Sequence, residues 1–238
     1  EHGGYMLNSK DMCLLPRLPD LLNLGMDSLK VEGRNKTEYY AAVVARTYRQ
    51  AIDDYYSDLR HWDFRRYMDD LYTLQNRGYC LGFHDGKLTN ISQNYEYTRT
   101  LGDWLFAGSI VEWQGNQAIF EIRNYIDKGE FIEFLLPGTL DNLRITFDEF
   151  EDADSGEITA KVSAGQGKKI RIDFNKCKIQ YCRNEKEEQK TVPELNIEKI
   201  KKLLPQYCIA RKPAPLTGEN RTMLDHKKAE FTQLCNRE

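Results

Sequence analysis

The 238-residue chain lacks any apolar run near the roughly 18 residues that cross a bilayer, and it has no charged-then-apolar opening of the kind that directs export. A membrane-spanning or secreted class is therefore not expected, and a cytoplasmic chain is. Histidine is scarce. His2, His61, His84 and His226 are never paired at ligand spacing, and neither HExxH nor GxSxG occurs. Zinc-peptidase and serine-hydrolase chemistry have no footing in the residues. The six cysteines, Cys13, Cys80, Cys177, Cys182, Cys208 and Cys235, are scattered without a CxxC, which argues for reduced thiols over a disulfide framework or a zinc site. A net charge of −3 and a pI of about 5.9 exclude an overall basic field for nucleic acid. There is also no initiator methionine: a chain that opens on Glu1 is expected to be a piece of a longer one.

What is present suffices for a packed core. Apolar residues make up 40% and charged residues 30%, outside the range of wholesale disorder. Charge is uneven along the chain. Residues 1–102 are nearly balanced, residues 103–174 carry 7 basic against 14 acidic side chains, and residues 175–238 carry 14 basic against 9 acidic. The tail is the only basic segment, and a solvated surface accounts for it as well as an RNA contact does.

Four regions follow from the local patterns. Residues 1–80 read as strand, helix, strand, helix, and a further helix over 63–76. Tyr5-Met6-Leu7 and Ser28–Glu32 are the strands, expected to run parallel. Between them a helix starts near Pro19 and stops at Gly25. A long helix over Thr37–Tyr56 carries Ala41, Val44, Ala45, Tyr48, Ala51, Ile52 and Tyr55 at spacings of three and four, capped by Asn35 or Thr37. Alternating strand and helix implies parallel strands with crossovers, and two such units cannot close a core alone. Residues 81–103 read as a linker. Residues 104–182 break into short β-rich runs separated by turns such as Gln114-Gly115-Asn116 and Asp154-Ser155-Gly156, the pattern of a small antiparallel barrel or sandwich. Residues 183–238 read as a charged, partly helical extension. The expected fold class is thus α/β plus all-β: the last βα units of a TIM-like barrel, then a small antiparallel β-barrel and a helical tail.

One segment stands out, Asp27-Ser28-Leu29-Lys30-Val31-Glu32-Gly33-Arg34. On a strand Leu29 and Val31 share one face, and Lys30, Glu32 and Arg34 the other. In a closed α/β barrel such charges can face the lumen at the C-terminal strand ends, where these barrels keep their sites. Asn8, Lys10 and Asp11 follow the preceding strand at the same end. A mutually neutralising set of surface ion pairs fits the composition equally well.

These residues also carry a resemblance. Tyr5-Met6-Leu7-Asn8-Ser9-Lys10-Asp11-Met12-Cys13 followed by Gly25-Met26-Asp27-Ser28-Leu29-Lys30-Val31-Glu32-Gly33-Arg34 resembles the hallmark pair of segments near the end of the catalytic barrel of peptidase family U32. Tyr39-Tyr40 and Tyr48–Asp53 resemble the helix that follows, and Asn76-Arg77-Gly78-Tyr79 with Gly82-Phe83 the linker signature. Gln93-Asn94-Tyr95-Glu96-Tyr97 resembles the branch that hydroxylates tRNA in particular. The likeness runs from about residue 3 to 174 and is poor over 183–238.

The resemblance implies a C-terminal portion of a protein that forms 5-hydroxyuridine at the tRNA wobble position, with prephenate as co-substrate. The missing part of the barrel would come from upstream residues or a partner protein. Lys10, Glu32 and Arg34 are expected to converge as catalytic groups at the C-terminal ends of the two strands, with Asn8 and Lys30 contacting substrate. Members of the wider family hold a 4Fe-4S cluster, most of whose cysteines would lie outside this chain; Cys13 is a candidate ligand, or else a buried thiol beside Leu14 and Leu15. Two other classes remain open. A collagenase-like peptidase is the family's historical description. A non-catalytic RNA-binding fragment would use the tail, or rings such as Trp104, Trp113, Phe120 and Tyr125, although region 103–174 is acidic.

Overall fold

The computed structural model describes residues 8–84, 86–88, 90–95, 99–165, 167–182 and 196–236. In chain order its elements are β1 (Asp11–Met12), α1 (Leu18–Asn23), α2 (Glu38–Asp58), α3 (Phe64–Leu71), β2 (Tyr79–Cys80), β3 (Trp104–Gln114), β4 (Gln117–Ile122), β5 (Ile126–Asp127), β6 (Phe131–Leu135), β7 (Asn142–Thr146), β8 (Phe150–Asp152), β9 (Ile158–Thr159), β10 (Lys161–Val162), β11 (Lys169–Asp173), β12 (Lys178–Cys182), α4 (Ile197–Leu203), β13 (Ile209–Pro213) and α5 (Gly218–Cys235). They group into two compact units. Residues 1–32, 51–104 and 214–238 make the first, and residues 33–50 and 105–213 the second. The expected division at 80, 103 and 182 was linear; the observed units are interleaved along the chain.

In the first unit β1 and β2 pair in parallel, Asp11 opposite Tyr79 and Met12 opposite Cys80. A 3-10 turn over Leu15–Arg17 leads into α1, with proline in its first turn as the sequence suggests, and Gly25 at φ 71° lets the chain leave. Asp63 caps α3 by accepting from the Arg65 amide. The core gathers Leu15, Leu18, Tyr67, Met68, Leu71 and Leu101 with Phe231 of α5. That last helix is polar overall and buries only a narrow stripe, Leu224, Lys227, Phe231 and Cys235, at spacings of three and four.

Two expectations for this unit are corrected or fall elsewhere. Ser28–Glu32 is not a strand: residues 26–33 are irregular and almost wholly exposed. Apolar alternation there is too short to act alone, because a strand persists only through ladder bonds to a neighbour. Its expected partner, Tyr5–Leu7, lies outside the described residues. Parallel pairing does occur, but between Asp11–Met12 and Tyr79–Cys80.

The second unit is built on a nine-stranded sheet in the order β12-β7-β6-β13-β3-β4-β11-β8-β9, with β5 and β10 forming a separate antiparallel pair. Pairings β12/β7, β7/β6, β6/β13, β3/β4, β4/β11, β11/β8 and β8/β9 are antiparallel. The all-β reading of 104–182 holds. The sheet order is open, with β12 and β9 at its edges among the described residues, rather than the closed ring of a barrel. Gly108 is required in β3. Its φ is 153°, and a Cβ there would come within 2.0 Å of the Glu121 carbonyl oxygen and 2.7 Å of the Phe120 ring. Ile110, Phe120, Ile132, Phe134, Leu143, Ile145, Phe150 and Ile170 fill the core; Phe120 and Phe134 meet edge to face at 5.6 Å. The first half of α2 belongs here: Tyr39 stacks on Phe106 at 6.1 Å and Arg46 donates to Asn142 Oδ1 at 3.0 Å.

Residues 209–213, expected in a charged extension, supply an interior strand of this sheet, next to β6 and β3. Its charges are buried and answered. Glu133, with 4% of its side chain exposed, accepts from Arg144 Nη2 at 2.7 Å and Nε at 3.1 Å, and from Arg211 Nη2 at 3.1 Å and Nε at 3.2 Å. Both arginines are its cross-strand partners on the two flanking strands. Lys212, 1% exposed, donates to Glu130 Oε2 at 2.7 Å and to the Tyr125 carbonyl at 2.8 Å, with its ammonium 3.9 Å from the Tyr125 ring centroid. No helix among the described residues is long and apolar enough to cross a membrane.

Candidate functional site

Three stretches far apart in sequence meet at the β1–β2 pair of the first unit. The Lys10 amide donates to Ser92 O at 3.0 Å, the Asp11 amide to Gly78 O at 2.9 Å, and the Asn94 amide to Asn8 O at 2.8 Å. Side chains lock the same crossing. Asn8 Nδ2 donates to Asn94 O at 3.0 Å, and Asn94 Nδ2 donates to Arg77 O at 3.1 Å. Asn76 Oδ1 accepts from the Gly78 amide at 2.9 Å, which turns the chain at Gly78, φ 94°. The residues 8–13, 76–79 and 93–95, each singled out from the sequence, therefore form one polar knot.

Charged groups concentrate there. Asp11 takes a fork from Arg77: Oδ1 accepts from Nη2 at 2.9 Å and Oδ2 from the Arg77 amide at 3.1 Å. The stem of Lys10 runs over Gly78, whose missing side chain leaves the room, since a Cβ there would lie 3.4 Å from Lys10 Cδ. Its amine then meets the Glu230 carboxylate of α5 at 2.6 Å, with 8% of the Lys10 side chain exposed. One turn earlier on α5, Lys227 donates to Asn76 O at 2.9 Å. Burial pulls the Lys227 amine down to about 8; Asp11 works against that shift and Lys10 with it. Lys10, Arg77 and Lys227 face Asp11 and Glu230, a balance of one net positive charge while all are ionised. Such a cluster can hold an anion or position a carboxylate, and Lys10 already holds one.

The expected residues are not all drawn into this knot. Lys10 and Asn8 are in it. Lys30 and Glu32 lie in the exposed irregular segment, so the argument that placed them on one strand face does not apply. Arg34 is exposed and falls among the residues of the second unit. Cys13 is buried, its thiol 3.9 Å from Met68 Sδ and its amide donating to Cys80 O at 2.9 Å. Among the described residues no three His, Cys, Asp or Glu side chains converge as metal ligands. A 4Fe-4S cluster needs about four ligands. Lys227, Glu230 and Arg77 were missed by sequence reasoning. Nothing in the polar pattern of α5 marks Lys227 as buried, whereas Arg77 sits inside a segment already singled out.

A helical unit knotted around a short parallel pair and a β-sheet unit interleaved with it define a two-part α and β chain. Family models match both parts in order: peptidase family U32 over residues 1–94, and the peptidase family U32 C-terminal domain over residues 103–183. The chain belongs to peptidase family U32. Tail residues beyond 183, including β13 and α5, lie past both matches. Among curated relatives, tRNA hydroxylation protein P of Escherichia coli strain K12 is 35% identical over 155 residues, 64% of this chain and 33% of the relative. Its Haemophilus influenzae counterpart is 36% identical over 148 residues, 61% of this chain and 32% of the relative. tRNA hydroxylation protein P1 of Bacillus subtilis strain 168 is 27% identical over 176 residues, 73% of this chain and 42% of the relative. The chain thus spans about a third to two fifths of the length of these relatives. No solved structure matches it.

Proposed function

We propose that this chain is the C-terminal portion of a cytoplasmic tRNA-modifying protein that converts a wobble uridine to 5-hydroxyuridine, with prephenate as co-substrate. The observation that carries the reading is the ordered match of both U32 parts, together with relatives named for tRNA hydroxylation. On this reading the parallel β1–β2 pair with its helices is the end of a TIM-like barrel, completed by upstream residues or a partner protein, and the open sheet stands where a small β-barrel was expected. Lys10 and Arg34 supply positive charge for a carboxylate of prephenate or an RNA phosphate. Glu32 orients one of them or moves a proton, and Asn8 and Lys30 contact substrate. Lys10 is paired with Glu230 in this structure, so a substrate carboxylate would take the place of that side chain. Any 4Fe-4S cluster in the full-length protein would draw most of its ligands from outside this chain, with Cys13 at most one of them.

The test uses the full-length protein in cells that otherwise lack 5-hydroxyuridine. Nucleoside mass spectrometry of tRNA should show the modification with the wild type and none with Glu32→Gln or Arg34→Ala, both folded by circular dichroism. Unchanged modification in both variants would make these residues structural ion-pair members. The family's description as peptidases gives the competing reading its hold. Release of peptides from gelatin by the full-length protein, silenced in a site variant, would favour it.

A further inference from the structure

We propose that the loop following α4, with α4 and the end of β3, forms a stacking platform for single-stranded RNA in the second unit. This deepens the reading that the parent protein acts on tRNA, and rests on it for the choice of partner. The first observation is Tyr207. Its φ is 66°, the one left-handed backbone among the described non-glycine residues. Glycine or asparagine would meet the needs of a turn there with less strain. Instead the position carries a large aromatic residue, 70% exposed.

The surrounding backbone is fixed while the ring stands free in solvent. The Tyr207 amide donates to Ile110 O at 2.7 Å, the Cys208 amide to Pro205 O at 3.0 Å, and the Ile110 amide to Cys208 O at 3.0 Å. Gln206 Nε2 donates to Val111 O at 2.7 Å, beside the irregularity in the β3/β4 pairing between Ile110 and Glu112. Strained residues held this firmly cluster at ligand sites. An aromatic ring on a rigid stalk has already lost the freedom that binding would remove.

The second observation is the charge on α4, which ends at Leu203, four residues before Tyr207. α4 carries Lys199, Lys201 and Lys202, of which Lys199 and Lys202 are exposed. Lys201 Nζ lies 5.8 Å from the centroid of the half-buried Trp113 ring. Trp113 stacks on Phe174 at 5.2 Å and donates through Nε1 to Leu204 O at 2.8 Å, which ties the end of α4 to β3. α4 itself carries one carboxylate, Glu198, and Glu112, next to Trp113 on β3, is engaged by Gln114 Nε2. Rings beside cations are what single strands require, because an unpaired base offers its face to a ring and its phosphate to a lysine. A duplex keeps its base faces covered.

The 238-residue chain itself provides the test, by fluorescence anisotropy against a labelled uridine-rich single-stranded RNA. Tyr207→Gly is the telling variant, since glycine keeps the backbone and relieves its strain. It should be at least as stable as the wild type yet bind about tenfold more weakly, the weight of one stacked base. Tyr207→Phe should bind as the wild type does. Lys199→Ala, Lys201→Ala and Lys202→Ala together should lower the salt dependence of log Kd by about 2, near 0.7 per lost phosphate contact. Equal binding by Tyr207→Gly, equal affinity for a duplex of the same sequence, or no RNA binding by the wild-type chain would each overturn the platform. Tyr207→Gly in the full-length protein separates the two readings. Weakened RNA binding with no hydroxylated tRNA from the wild type removes the proposed activity and keeps the platform. Intact hydroxylation with unaltered affinity does the reverse.

Discussion

Glu133 should be among the most sensitive charges in the chain. Its carboxylate sits on an interior strand with 4% of the side chain exposed and accepts four hydrogen bonds from two guanidinium groups. Glu133→Gln keeps the shape and removes the charge. Arg144 is 33% exposed and lies over the Phe131 ring, 4.0 Å from its centroid, so it retains water and a cation–π contact. Arg211 is 7% exposed and loses its carboxylate in place. Removing one member of a buried ion pair costs about 3–5 kcal/mol, and the relief open to Arg144 puts the expectation at the lower end, about 3 kcal/mol. With a urea m-value of about 2 kcal/mol/M, the midpoint should fall by about 1.5 M. Urea unfolding followed by Trp113 fluorescence, in a Trp62→Phe, Trp104→Phe background that silences the first unit's tryptophans, reads the second unit, which is preferable to a global probe in a chain of two units. The double variant Glu133→Leu with Arg211→Met removes both buried charges and should recover most of the loss. A midpoint for Glu133→Gln within about 0.3 M of the wild type would mean that the triad is solvated and the reasoning wrong.

Two further perturbations follow from single positions. Lys227, its amine pulled down to about 8 by burial against an ordinary value near 10.5, is charged in both folded and unfolded chains below about pH 8, so the cost of burying it is felt in full there. Between pH 8 and 10 the unfolded chain keeps that proton while the folded chain releases it, so this lysine's contribution to stability should rise, by on the order of 2 kcal/mol. Above pH 10 the buried Tyr67 and Tyr72 hydroxyls, both pushed upward chiefly by burial, reverse the trend. Between pH 7.5 and 9.5 the urea midpoint of the wild type should change more favourably than that of Lys227→Met, in which the opposing pull of the burial-raised thiols Cys177, Cys182 and Cys208 remains; an equal change in both would exclude this lysine as the cause. Gly108→Ala should lower stability by roughly 3 kcal/mol, because the new Cβ meets backbone oxygen rather than a movable side chain, and a thermal midpoint like the wild type's would contradict that geometry.

The helices were legible because their signals are local. Asp63, Pro19 and Gly25 mark boundaries within a few residues, and the apolar spacing of α2 survives in one stretch of sequence. The turn glycines likewise separate the strands of 104–182. β13 was hidden because Ile209-Ala210-Arg211-Lys212-Pro213 reads as polar and proline-ended, and the groups that answer its charges, Glu133, Glu130 and Tyr125, lie about 80 residues upstream. Ser28–Glu32 failed for the opposite reason: its alternation is local and convincing, but strand character depends on a neighbour that no local pattern supplies. For the candidate site, Lys10 and Asn8 were found because they sit in a segment rich in chemistry-bearing residues. Lys227 and Glu230 were not, since a long polar helix gives no hint of which face another part of the chain will bury.

The place of β13 between β6 and β3 also bears on how the molecule is made. Synthesis runs from the N-terminus, and the strand that joins the two halves of the sheet emerges well after the strands on either side of it. Until it arrives, the edges of β3 and β6 wait with open ladder positions, the most association-prone feature a nascent β structure can have. Closure then spans about a hundred residues of intervening chain, from Ile110 to Cys208, which places this unit among the slower topologies to fold. Late arrival of a charged strand makes a useful safeguard. Arg211 and Lys212 can enter the sheet only where carboxylates already wait at the right register, so a stray apolar strand cannot fill the gap with the same bonds.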